Sequence, residues 1–104
     1  LKRAVSIVEK NMDNIEFSTD EFAREMNMSR SNLHLKLKAI TGESTIDFIR
    51  KIRFNEAAKL LKDGRYTVAE VSTMVGFNTP SYFATSFKKY FGYLPTEYIK
   101  RTKG

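Results

Sequence analysis

The chain has 104 residues, 41% of them hydrophobic and 12% aromatic, with no Cys and a formal net charge of +6. That composition suits one compact domain, or two very small ones sharing a core, and it excludes a disulfide framework or a thiolate metal site. No apolar run approaches the roughly 18 residues of a membrane span, and no signal peptide is visible, so a cytoplasmic setting is expected.

In chain order, residues 1–11 read as an amphipathic helix with Leu1, Ala4, Val5, Val8 and Met12 on one face. After a connector, Ser18 or Thr19 can cap a short helix over residues 20–26, with Asp20 and Glu21 in its first turn and Phe22, Ala23 and Met26 inward. Asn27 tolerates positive φ better than most residues and suits a tight turn, after which Met28 enters the core. Ser29 caps a helix over 30–40 with Leu33, Leu37 and Ile40 inward, ending at Thr41-Gly42. Two short helices joined by a tight turn form a helix-turn-helix pattern.

Residues 45–61 read as one longer helix, with Ile46, Ile49, Ile52, Ala57, Leu60 and Leu61 at helical spacing and Asp47 in the first turn. Gly64 stops it. The pattern then recurs. Thr67 with Glu70 starts a helix over 68–75; Gly76 turns the chain, and Phe77 enters the core. Asn78 or Thr79 caps a helix that opens with Pro80 and carries Phe83, Phe87 and Tyr90 inward. Pro95 opens a last helix to about Lys100, and residues 101–104 are expected to fray. The reading is all-α: seven helices and no strand.

The recurrence can be tested by aligning the chain with itself. At an offset of 50, Leu33 falls on Phe83, Leu37 on Phe87, Ile40 on Tyr90 and Gly42 on Gly92. Upstream the offset is 49, placing Phe22 on Val71, Met26 on Val75 and Met28 on Phe77. The expected organisation is a helix-turn-helix unit in 1–44, a linker helix in 45–62 and a second unit in 63–104.

Charge is distributed unevenly. Residues 1–28 carry net −2, residues 29–62 net +5 and residues 63–104 net +3. A basic stretch beginning at the second helix of a helix-turn-helix points to a polyanion, although a solvated Lys/Arg surface would look the same. Opposite the inward face of the 30–40 helix lie Ser31, His34, Leu35 and Lys38; opposite that of the later helix lie Ser81, Ala84, Thr85, Lys88 and Lys89. Hydroxyls, bases and methyls together are what a major groove needs: donors and acceptors for base edges, apolar contact for thymine. Leu35 is then either a thymine-methyl contact or a plain exposed Leu, and His34 either a DNA contact or an inert surface imidazole.

Phosphate candidates are the helix starts around Ser29, Arg30, Asn78 and Thr79, together with Arg50, Lys51, Lys88 and Lys89. Tyr82 either reaches a phosphate or packs on the linker helix. Arg53 either joins Arg50 and Lys51 or pairs with an acid such as Glu21 or Glu70. Met26, Met28 and Met74 sit at core spacing. No Gly-rich phosphate loop, nucleophile elbow or metal-ligand cluster is present in the sequence, so no enzymatic activity, metal or cofactor is expected of this domain.

The marks Ala69, Val71, Val75-Gly76-Phe77, Ser81-Tyr82-Phe83, Phe87-Lys88-Lys89, Phe91-Gly92, Pro95 and Tyr98 resemble the signature segment of AraC/XylS-type DNA-binding domains. Ile52-Arg53, Ala57 and Leu60-Leu61 resemble that family's linker helix. The resemblance covers nearly the whole chain. It implies sequence-specific binding of double-stranded DNA in transcription regulation, with one reading helix of each unit in the major groove. By correspondence the base-reading positions are Ser31, His34 and Leu35, then Pro80, Ser81, Ala84 and Thr85. The family often has longer polar residues where Leu35, Ala84 and Thr85 stand.

The first half is similar to a subset found at the C-terminus of hybrid two-component regulators. That implies an output domain of a longer protein with a histidine kinase, anchored in the inner membrane and dimerising through other parts; the sequence also begins without Met. RNA polymerase is a further implied partner, and no small-molecule ligand is expected in this domain. The competing reading is a helical protein-interaction module that docks another protein such as a polymerase subunit.

Overall fold

The computed structural model describes residues 1–103, and among them there are seven helices and no strand. They are α1 (Lys2–Lys10), α2 (Thr19–Glu25), α3 (Arg30–Thr41), α4 (Thr45–Asp63), α5 (Val68–Met74), α6 (Pro80–Phe91) and α7 (Pro95–Lys103). Five starts are fixed by a hydroxyl that accepts the backbone N–H three residues on. Ser18 serves Glu21, Ser29 serves Asn32, Ser44 serves Asp47, Thr67 serves Glu70 and Thr79 serves Tyr82. At α5 the Glu70 carboxylate also accepts the Thr67 N–H, completing a capping box. The two turns that define the repeat are both left-handed, Asn27 at φ 57° and Gly76 at φ 80°.

Two aromatic-rich cores form rather than one. The first gathers α1, α2 and α3 around Ala4, Val8, Phe22, Leu33 and Leu37; the second gathers α5, α6 and α7 around Val71, Val75, Phe83 and Phe87. The long helix α4 serves both. Phe48, Ile49 and Ile52 enter the first core, and Phe54, Ala57, Leu60 and Leu61 enter the second. At 100° per residue those two sets face directions about 140° apart. The buried face of α4 therefore changes sides, and the change falls at Arg53.

This switch explains where a single-stripe reading of α4 fails. Ile46, expected inward, is 54% exposed, whereas Phe48 and Phe54, absent from the expected stripe, are buried. Ile40 and Tyr90 are also corrected: they lie one turn beyond Leu37 and Phe87, past the end of the buried faces, and are 54% and 43% exposed. Tyr90 still stacks on Phe54, 4.9 Å between centroids. On α1 Ile7 joins Ala4 and Val8 in the core, and Leu1 faces solvent.

The last helix runs past its expected end. Thr102 donates its hydroxyl to the Tyr98 carbonyl at 3.1 Å, and the Arg101 guanidinium lies over the Tyr93 ring at 4.8 Å. These contacts hold residues 101–103 in the helix where fraying was expected; Gly104 lies outside the described residues.

Candidate nucleic-acid interface

On α3, Ser31, His34, Leu35 and Lys38 are all exposed, because Leu33 and Leu37 take the opposite face into the core. On α6, Pro80, Ser81, Thr85, Lys88 and Lys89 are exposed opposite Phe83 and Phe87, while Ala84 is half-buried and less open than its neighbours. Leu35, at 65% exposure, is among the most open large apolar residues of the chain. The Thr85 hydroxyl donates back to the Ser81 carbonyl at 3.0 Å, which leaves its oxygen free to accept.

Three shallow concavities connect these helices. The first, of about 520 Å³, is lined by Arg30, Ser31, His34 and Leu35 of α3, by Thr19, and by Ser44, Thr45 and Ile46 at the start of α4. The second, of about 430 Å³, shares Thr19 and Ile46 with the first and continues past Arg50 to Asn78 and Tyr82. The third, of about 270 Å³, shares Arg50 and Tyr82 with the second and reaches Ser86, Lys89 and Tyr90 of α6. Shared walls make one track, running from the outer face of α3, across α4, to the flank of α6. Its exposed cations are Arg30, Arg50 and Lys89; Asp47 is the carboxylate among its walls.

The expected phosphate ligands fall at different places on this surface. Arg50 donates to the Tyr82 hydroxyl at 3.4 Å, so these two, distant in sequence, meet at the centre of the track. Tyr82 touches the long helix through that hydroxyl, while its ring lies 5.7 Å from Phe77 in the turn before α6. Lys51 lies 3.7 Å from Glu43, and Arg30 lies 3.3 Å from Asp20. Such exposed pairs contribute about 0–1 kcal/mol each, too little to keep either cation from a phosphate. Ser29 and Thr79 are the caps of α3 and α6 and take up the N–H groups of Asn32 and Leu33 and of Tyr82 and Phe83. That leaves the N–H groups of Arg30 and Ser31 at α3 and of Ser81 at α6, Pro80 having none. Asn78 is exposed just ahead of α6.

Arg53 lines the second concavity beside Gly76 and Phe77 but is itself buried. It is 8% exposed; its Nη1 donates to the Gly76 carbonyl at 3.2 Å and its Nη2 to the Asn14 carbonyl at 3.0 Å, and its Nε has no partner. Both the phosphate role and the pairing with Glu21 or Glu70 are therefore corrected. Burial without an acidic partner pushes its pKa below the ordinary value. Ile46 is the wall residue that sequence reasoning placed in the core; the only available signal was its position one residue into the helix that follows α3.

The chain is similar to known proteins over nearly its whole length. A helix-turn-helix domain profile matches residues 22–101. The chain is 40% identical over 101 residues to Histidine kinase P4 of Formosa agariphila, covering 97% of this chain and 7% of that protein. It is 33% identical to the HTH-type transcriptional regulator MtrA of Neisseria gonorrhoeae, covering 95% of this chain and 34% of that one. Among solved structures, the C-terminal domain of AraT, a response regulator from Geobacillus stearothermophilus, superposes with a TM-score of 0.88 at 31% identity, over 96% of this chain and 83% of that one. The chain thus spans only a small part of the length of these curated relatives.

Proposed function

The chain belongs to the AraC-type helix-turn-helix family of DNA-binding domains, and from that membership we propose that it reads one asymmetric duplex site in two successive major-groove segments. In this reading residues 1–44 and 63–104 are the two reading units and residues 45–62 the bar between them. Ser31, His34, Leu35 and Lys38 meet base edges in one segment, and Pro80, Ser81, Ala84 and Thr85 in the other. Ser29, Arg30, Arg50, Lys51, Asn78, Thr79, Tyr82, Lys88 and Lys89 meet phosphates.

The observation that carries this reading is the continuous track, which joins α3 to α6 through the Arg50–Tyr82 pair at its centre. Dimensions are compatible. The molecule is 43 Å long, and successive major grooves on one face of B-DNA are about 34 Å apart. The kinship with a histidine kinase supports a place as the DNA-binding output of a longer regulator, working in the cytoplasm. Kinase chemistry, membrane anchoring and dimerisation would then belong to other parts of that parent, with RNA polymerase a further partner of this domain.

The decisive experiment is spacing. Footprinting should show two protected patches about one helical turn apart. Inserting about five base pairs between them moves the second patch to the opposite face of the duplex. Affinity should fall to that of a single unit; unchanged affinity would leave one unit without a DNA role and favour a protein-docking function for it.

Roles within the interface separate by substitution. Arg50→Ala and Lys51→Ala should weaken all sequences alike, because phosphate contacts position the protein. Changing Ser31 or Thr85 should alter the preferred bases, by about 1–3 kcal/mol of discrimination for a good contact. Randomised-site selection with each variant checks this, and an unchanged preferred site for both Ser31 and Thr85 variants would contradict the assignment of the outer faces.

A further inference from the structure

The two units have separate cores, so something must hold their relative angle. A bare helical bar does this poorly when each unit can rock about its own packing face. We infer that Arg53 is the positioning residue that locks one unit against the other and thereby sets which spacing of DNA patches the chain accepts. The inference rests on the two-patch reading above and adds the device that enforces it.

The geometry is specific. Arg53 stands where α4 turns its buried face from the first core to the second, between Ile52 and Phe54. One arm of its guanidinium holds Asn14, in the connector between α1 and α2 of the first unit. The other holds Gly76, at the turn between α5 and α6 of the second. A planar fork with donors in fixed directions fixes both distance and angle between the two carbonyls, which a flexible ammonium cannot do.

On the side where a Gly76 side chain would stand, the approach is close. A Cβ on Gly76 would stand 2.6 Å from the Met12 carbonyl oxygen and 2.9 Å from the Arg53 Cζ. The turn of the second unit is therefore seated directly on the connector of the first, and Met12 itself packs against the second core.

The chain supplies its own control. Arg3, on α1, makes the comparable contact within the first unit. It too sends a guanidinium nitrogen to a backbone carbonyl by the turn of its own unit, Glu25 at 3.1 Å, but it is exposed and that bond stays within the first unit. The bridge across units is what distinguishes Arg53.

The test compares the wild-type chain with Arg53→Met and Arg53→Lys on duplexes obtained by randomised-site selection with the wild-type protein. Each is titrated on the selected two-patch duplex, on duplexes with one or two base pairs added or removed between the patches, and on duplexes keeping only one patch. Rigidly joined units should show a preference of about tenfold or more for one spacing, because a linker that cannot span the sites forfeits the second contact. The expected result is that both variants lose most of that preference while their single-patch affinities stay within about twofold of wild type. Arg53→Lys, which keeps the charge and reaches one carbonyl, should fall between wild type and Met, and it serves alone if the Met variant gives no cooperative melt.

An unchanged spacing preference in a folded variant overturns the inference and leaves the two-patch reading standing. So does an equal loss on single-patch and two-patch duplexes, which would make Arg53 a stability residue only. A wild-type chain with no spacing preference overturns both.

Discussion

Raising salt from 50 to 200 mM is expected to weaken duplex binding on the order of 10³-fold. Residues 29–104 carry net +8, and Lys38 together with Arg30, Arg50, Lys51, Lys88 and Lys89 stands exposed on the helices that frame the track. If the basic residues of the chain neutralise about six phosphates, log affinity falls with log salt at a slope near −5, and a fourfold rise in salt gives the stated loss. In the proposed reading the neutral residues Ser29, Asn78, Thr79 and Tyr82 would add contacts without releasing counterions, so they would not steepen the slope. Each of Arg50→Ala and Lys88→Ala should lower the slope by about one. A fluorescence-anisotropy titration is the measurement, and a flat salt response would remove DNA as the partner and favour a protein-docking module.

The second large effect concerns stability. Phe54→Ala should cost about 3–5 kcal/mol, the range for truncating a large aromatic in a core that cannot collapse around the gap. Phe54 is 2% exposed and its ring lies among those of Phe77, Phe83, Phe87, Tyr90 and Phe91, with centroid separations from 4.9 to 6.5 Å. It is also the first α4 residue inside the second core, so its loss detaches that unit from the bar that orients it. For a domain of this size such a loss lowers Tm by more than about 10 °C. Thermal melts followed by circular dichroism would show it. By contrast Leu35→Ala, on the open face of α3, should leave stability within about 0.5 kcal/mol of wild type and change only DNA preference. A Phe54→Ala chain that melts like wild type would mean that the second unit does not depend on α4 for its core.

Much of the fold was legible because its signals are local. A hydroxyl three residues ahead of an N–H, a residue that tolerates positive φ at a turn, and a proline at a helix start all act within one turn of chain. Ser29, Thr67, Thr79, Asn27, Gly76 and Pro80 accordingly do in the structure what they promise in the sequence. The outer faces of α3 and α6 were equally readable, since fixing Leu33, Leu37, Phe83 and Phe87 inward sends the opposite residues out. Where periodicity failed, it failed for one reason: α4 has no single inner face. Averaged over the whole helix, the stripe that buries Phe48 and the stripe that buries Phe54 blur each other, and Ile46 and Ile52 look alike although only Ile52 meets a core.

The sequence by itself therefore determined the seven helices, their repeat in two units, the faces those units expose and the positive charge beside them. Each of these follows from neighbours a few residues apart or from a simple sum of charge. Only the tertiary structure decided that there are two cores, that α4 changes sides at Arg53, and that Arg53 is buried between Asn14 and Gly76 rather than displayed with Arg50 and Lys51. The reason is physical. Every residue carries a backbone carbonyl, so a sequence cannot single out which two, lying 39 positions before and 23 after, will converge on one guanidinium. That is settled only when separate cores close and bring their connecting segments together.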